Sequence, residues 1–240
     1  MSTILDEFAP YTQQELWDLF HQPNGSINKH LPVIYSLAVG LNAKRVLDLG
    51  MGSTTRTLRA ALERTGGVLY SCYIDRTRFE PLLHQGDERW KVYLCPSEEF
   101  LGQMEPPFDF AMHDAAHDYA QTRADLERLL PLMRRFSLVC IHDTQHEACG
   151  REMVAALHDV LRGFPASYVH LPYCYGLTIL RLEESPHEFV PPPWTKGDHG
   201  PATQCFPDLP GRASAWTLIE GRLKAVLRSG KRAVKSILGR

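Results

Sequence analysis

The sequence predicts an α/β protein built on a doubly wound, mostly parallel sheet with helices on both faces. Three observations predict it. Short apolar runs alternate with segments of helical periodicity from residue 45 to about 165, as right-handed strand–helix–strand crossovers require. The first run ends in an acid and a Gly-x-Gly corner, "VLDLGMG" (46–52), and passes directly into a helix. The last two runs, within "SYVHLPYCYGLTILRLE" (167–183), have no helix between them, so they pair antiparallel at one edge.

Each element has its own signal. A short helix over 12–22 carries Leu16, Leu19 and Phe20 on one side, and "PNGS" ends it. Ser26 is positioned to cap a second helix running to Leu41, with Ile34, Leu37 and Ala38 at helical spacing. Strands are then predicted at 45–50, 68–75, 90–95, 108–115 and 137–144. With the closing pair around Gly176 they make a seven-stranded sheet. The helices between them fall on "TTRTLRAALERT", "TRFEPLLHQ", "SEEFLGQM", "YAQTRADLERLLPLM" and "GREMVAALHDVLRGF". Four regions follow: an N-terminal helical cap (1–44), the α/β core (45–185), a Pro-rich arm (186–212) and a basic amphipathic C-terminal helix (213–240). The arm holds seven of the seventeen prolines.

Composition narrows the classes of function. Apolar residues at 44% and charged residues at 22% fit a folded domain with a real core, and no apolar run nears the roughly 18–20 residues that cross a bilayer. The first twenty residues lack a secretory pattern, and the six cysteines stand singly without a CxxC pair. The single cysteines favour reduced thiols, and a cytoplasmic protein is the expectation. Residues 222–240 carry seven Lys/Arg and no acid, which leaves the rest of the chain near −9. An acidic body argues against nucleic acid as a partner. The basic tail, with Trp216 near its start, reads either as an interfacial helix on anionic lipid or as a helix packed on the body or a second subunit.

In an open parallel sheet, ligands bind beyond the carboxyl ends of the strands, where strand order reverses. Gly50 and Gly52 let backbone approach a ligand there, and Ser53 opens the following helix. The third glycine of a dinucleotide fingerprint is absent, since position 55 is Thr. Asp75, at the end of the second strand, reads either as a ribose-hydroxyl acceptor or as a helix N-cap.

"VLDLGMGSTTRTL" followed by "CYID" resembles motifs I and II of the class I S-adenosylmethionine-dependent methyltransferases. "FDFAMHDAAHDYAQTRADLERLLPLMRRFSLVCIHDT" resembles a narrower group of small-molecule O-methyltransferases with metal-dependent, macrocin-type and cephalosporin-hydroxylase-like members. Two departures stand out: Ala115-Ala116 replaces a Gly-Asp, and Arg135-Phe136 replaces a Gly-Gly turn. The resemblance implies a Rossmann-like methyltransferase fold and S-adenosylmethionine held by Asp48, Gly50, Gly52, Ser53, Asp75, Arg76, Ser97, Glu98 and Asp114.

"HDAAHDY" and "IHDT" end strands four and five, so their side chains open on the same sheet edge as the glycine corner. Oxygen ligands with an imidazole suit Mg²⁺ or another divalent cation. Carried over from the resemblance, the metal ligands are Asp114, His142 and Asp143, and the catalytic residues are Asp114, His142 and His117, the last as general base. In a metal-free alternative, Asp114 and His117 alone position the acceptor. The implied reaction is O-methylation of a small molecule such as a sugar or natural product, with homo-oligomers and peripheral membrane contact as further expectations. Competing readings are a non-catalytic scaffold that works through its basic tail, and an oxidoreductase on the same sheet type.

Overall fold

The computed structural model describes residues 3–23 and 25–185. The arm and the C-terminal helix expected from the sequence lie outside these residues. Seven strands form one sheet in the order β3-β2-β1-β4-β5-β7-β6. They are β1 (Arg45–Leu49), β2 (Val68–Cys72), β3 (Trp90–Tyr93), β4 (Phe108–His113), β5 (Met133–His142), β6 (Ala166–Leu171) and β7 (Leu177–Leu182). The first five run parallel, and β7 lies antiparallel between β5 and β6. The order reverses between β1 and β4, which sets the ligand crevice at their carboxyl ends.

Alternation along the strands feeds two cores, one on each face. Val46, Leu69, Phe110, Met112 and Cys140 face α3 (Leu31–Gly40) and α4 (Ser53–Thr65), against Ile34, Ala38, Leu58 and Leu62. Their neighbours Leu47, Leu49, Ala111, Val139 and Ile141 face the other side. There they meet α6 (Ser97–Gly102), α7 (Tyr119–Leu129) and α8 (Gly150–Leu161) through Phe100, Leu126, Leu129 and Leu157. Ahead of the sheet come α1 (Ile4–Glu7) and α2 (Gln13–His21), each opened by a threonine capping box. Arg76–Phe79 forms α5, a single turn capped by Asp75 and continued as a 3₁₀ turn to His84.

The structure departs from expectation at the second helix. α3 begins at Leu31, not after Ser26, because Pro32 suits a first helical turn and residues 26–30 are committed to turns. Asn28 holds those turns: its side chain accepts from the Gly25 N–H and donates to the carbonyls of Leu19 and Pro23. α1 had no counterpart in the sequence reading. β5 also starts earlier than expected, at Met133 instead of 137. Its register against β4 slips between Phe108 and Phe110, and the bulge carries Phe136 at φ 63°. Phe136 thus adopts the left-handed conformation that the expected Gly-Gly turn would supply. Among the described residues, no helix is long and apolar enough to cross a membrane.

Asp109 ties the lower edge of the sheet together. One carboxylate oxygen accepts from the N–H groups of Lys44 (2.7 Å) and Arg45 (2.8 Å), and the other meets Arg134 at 2.8 Å. Removing this buried carboxylate strands two amides and a guanidinium. Asp109→Ala is therefore expected to cost about 3 kcal/mol in urea unfolding.

Candidate active site

The glycine corner is shaped by its neighbour strand. Gly50 has φ 101°, and a Cβ there would lie 2.0 Å from the carbonyl oxygen of Asp114. The N–H of Asp114 donates to the Leu49 carbonyl at 2.8 Å, and the N–H of Gly50 to Cys72 at 3.2 Å, so three strand ends converge on this point. Behind it Asp48 is fully buried and accepts from Thr55 (2.7 Å) and Ser71 (2.9 Å). Burial raises its pKa to about 7. Gly52 donates its N–H to the Thr55 hydroxyl at 2.9 Å and leaves open space where a Cβ would project.

In front of the corner lies a cavity of about 550 Å³. Gly50 and Met51 line it from β1, Cys72, Tyr73 and Ile74 from β2, and Cys95 to Glu98 from the end of β3. Asp114 to His117 and Gln121 close it from β4 and α7. Of the residues expected to hold the cofactor, Gly50, Ser97, Glu98 and Asp114 line this cavity. Asp48 does not, because it is buried behind the corner, where it braces Thr55 and Ser71. Gly52 and Ser53 flank the cavity without lining it, and Ser53 lies 3.5 Å from the Tyr11 hydroxyl. Asp75 caps α5 through the Arg78 N–H (3.2 Å); Asp75 and Arg76 are exposed and absent from the lining, while their neighbour Ile74 lines the wall.

At the other end of the cavity four ionisable groups meet. His117 Nε2 lies 3.1 Å from Asp143 and 3.6 Å from Asp114. His142 Nδ1 lies 3.3 Å from both carboxylates. His142 Nε2 donates to the carbonyls of Ser26 and Cys174, both at 2.9 Å, so the ring is fixed with Nδ1 turned toward the acids. Asp143 takes φ 59°, a left-handed conformation that Asp tolerates better than most residues. Ligand atoms of Asp114, His117 and Asp143 lie within 4.8 Å of one another, a grouping that could hold a metal ion. His117 Nε2 and Asp143 Oδ1 are buried and, among the described residues, face only the ionisable partners of this cluster. Two carboxylates and two imidazoles converging on one point are a donor set that fits a divalent cation.

Electrostatics follow from these contacts. Burial alone would raise the Asp114 carboxyl, but hydrogen bonds from His117 and His142 hold it well below the usual carboxylate range. Burial opposes protonation of His142, yet Asp114 and Asp143 outweigh it and raise the ring to about 10. The Asp114 hydrogen bond likewise raises His117. His113 is fully buried and paired with Asp125 at 3.1 Å, apart from this cluster. His146 packs its ring 4.6 Å from Tyr175 and lines a separate surface depression.

Sequence reasoning missed Gln121, Asp125 and the two carbonyls that orient His142. Asp125 had a signal: it falls among Thr122, Leu126 and Leu129 on the buried face of α7, where a charge needs a partner. The carbonyls had none, since any residue type supplies them.

The doubly wound sheet, with its glycine corner and a cavity at the switch point, is the fold of solved S-adenosylmethionine-dependent methyltransferases. Residues 47–144 match the family model described as a methyltransferase domain. No curated protein matches the sequence. Among the solved structures that share the fold are three methyltransferases. The O-methyltransferase TomG of Streptomyces achromogenes, in complex with S-adenosylmethionine, aligns with TM-score 0.55 at 18% identity over 72% of this chain and 91% of its own. The methyltransferase PaMTH1 of Podospora anserina, bound to S-adenosylhomocysteine, gives 0.55 at 16% over 70% and 85%. An O-methyltransferase of Bacillus cereus, in complex with the same product, gives 0.50 at 15% over 72% and 92%.

Two expected outcomes follow from the geometry. Gly50→Ala should lose at least about 2 kcal/mol in chemical denaturation, because both its φ and the Asp114 backbone oppose a Cβ. Gly52→Ala should stay within about 1 kcal/mol of the parent. In the metal-free protein, an NMR titration should place the His117 ring above 6.5, and Asp114→Asn should bring it down. With its folded pKa raised, the stability that protonated His117 contributes is present below 6.5 and lost as pH rises through the folded value.

Proposed function

We propose that the protein transfers the methyl group of S-adenosylmethionine to an oxygen of a small-molecule acceptor at the Asp114–His117–His142–Asp143 cluster. The observation that carries this reading is the meeting of Asp114, His117 and Asp143, whose ligand atoms lie within 4.8 Å of one another, where Asp114 and His117 line the cavity. In this reading the cofactor's nucleoside lies toward Ser97 and Glu98, and its sulfonium faces Asp114. The S-adenosyl ligands of TomG and PaMTH1, held on the same fold, support that choice of cofactor.

Asp114, Asp143 and His142 Nδ1 would hold a divalent cation such as Mg²⁺. Bound there, the cation supplies positive charge that lowers the pKa of an acceptor hydroxyl. His117 takes the hydroxyl proton on Nε2, and the flanking carboxylates stabilise the imidazolium that forms. Asp114 and Asp143 orient the acceptor oxygen toward the methyl group. Methyl transfer needs little else from the chain beyond in-line alignment. Residues 1–44 act as a cap on the core, since the Ser26 carbonyl reaches His142.

Calorimetry with S-adenosylhomocysteine, run with and without Mn²⁺, tests both halves of this reading. Micromolar binding is expected, with one Mn²⁺ site that Asp143→Ala weakens at least tenfold. His117→Ala should change Mn²⁺ affinity less than about threefold if His117 is the base; a ligand would lose about 10–100-fold. Absence of nucleoside binding in either buffer would end the methyltransferase reading.

A further inference from the structure

Beside the cavity, a second buried network sets the polarity of the wall at Ser97 and Gln121. Asp125 is fully buried on α7 and faces His113, itself fully buried, at 3.1 Å. Its other oxygen accepts from the Ser97 hydroxyl (2.7 Å) and from the Gln121 amide nitrogen (2.9 Å). The Gln121 nitrogen also lies 3.3 Å from the Ser97 oxygen, to which it can donate its second proton. Ser97 and Gln121 both line the cavity.

The donors are therefore spent inside the network. The Ser97 proton goes to Asp125, and both Gln121 amide protons go to Asp125 and Ser97. Gln121 Oε1 meets no donor among the described residues, and Ser97 Oγ keeps a lone pair. Rotating the Gln121 amide by 180° would set Oε1 against the Asp125 carboxylate, so its orientation is locked. Burial would push the Asp125 carboxyl up, but His113, Ser97 and Gln121 together hold it below its ordinary value, which keeps it an acceptor. At this position the wall offers acceptors and no donor from these two side chains.

We propose that Gln121, locked by Asp125, selects the cofactor's base by accepting a hydrogen bond from the exocyclic amine of adenine. The inference rests on the cofactor reading given above and deepens it. An amine carries two protons and meets acceptors; a 6-oxo group in its place sets oxygen against oxygen. Asp125 acts here as a positioning residue and Gln121 as the group that touches the base. Ser97 supplies the second acceptor.

The test compares S-adenosylhomocysteine with S-inosylhomocysteine, in which a 6-oxo group replaces the amine, by calorimetry on the full chain. The parent protein should prefer the adenosyl compound by about 10- to 100-fold. Gln121→Leu should narrow that ratio to within about threefold, and Asp125→Asn, which permits the flipped amide, should narrow it as well. Thermal denaturation of each variant accompanies the titrations, and Gln121→Leu, at a half-buried position, carries the test if Asp125→Asn unfolds. Equal binding of both compounds by the parent, or a ratio unchanged in Gln121→Leu, overturns the proposal and leaves the cofactor site standing. Binding of neither compound by the parent overturns both.

Discussion

The backbone of β1 and the backbone of β4 touch where the two strands end, and the site is arranged around that contact. Gly50 can sit against the Asp114 carbonyl only because it lacks a Cβ, and the Asp114 amide is anchored on Leu49. This close approach turns the β1 loop outward over the cavity. It also carries the Asp114 side chain to the rim beside His117 and His142. One backbone contact thereby fixes the spacing between the glycine corner and the acid–imidazole cluster. A side chain wedged between the strands would disturb both.

The buried charges are spent on alignment. Asp48, Asp109 and Asp125 all lie within the fold, and each accepts from two or more groups on different elements. Unpaired, such carboxylates would be costly; satisfied, they specify one arrangement of loops around a mobile ligand. Asp48 braces the glycine corner from behind, Asp109 pins the start of β1, and Asp125 sets the polarity of the wall at Ser97 and Gln121. The exposed ion pairs, such as Arg78 with Glu7, contribute little by comparison.

The sheet was legible because a buried parallel strand has to be an apolar run, and because Gly50 and Gly66 mark where chain direction changes. The placement of Asp114, His117, His142 and Asp143 at one edge was legible for the same reason: each follows the end of a strand. The start of α3 was misread because Ser26 is a competent cap that Asn28 and Pro32 override through local turns. Asp48 and Asp75 were read as ligand contacts from motif resemblance, with a helix N-cap as the other reading of Asp75; the structure shows that cap, and the burial of Asp48 depends on packing that the sequence does not display. Gln121 stayed invisible because its importance comes from Asp125, and the meeting of Asp125 with Ser97 depends on how two helices cross.

His142 hangs from carbonyls that enter the chain 116 residues before it and 32 residues after it. The imidazole therefore has no fixed orientation until the N-terminal turns and the loop ahead of β7 have both docked. The glycine corner, by contrast, needs only β1, β2 and β4. During synthesis, a chain that has emerged through β5 can already shape the nucleoside pocket while its acid cluster still lacks an aligned partner. The geometry of the acid–imidazole cluster is thus completed last, as a by-product of closing the sheet.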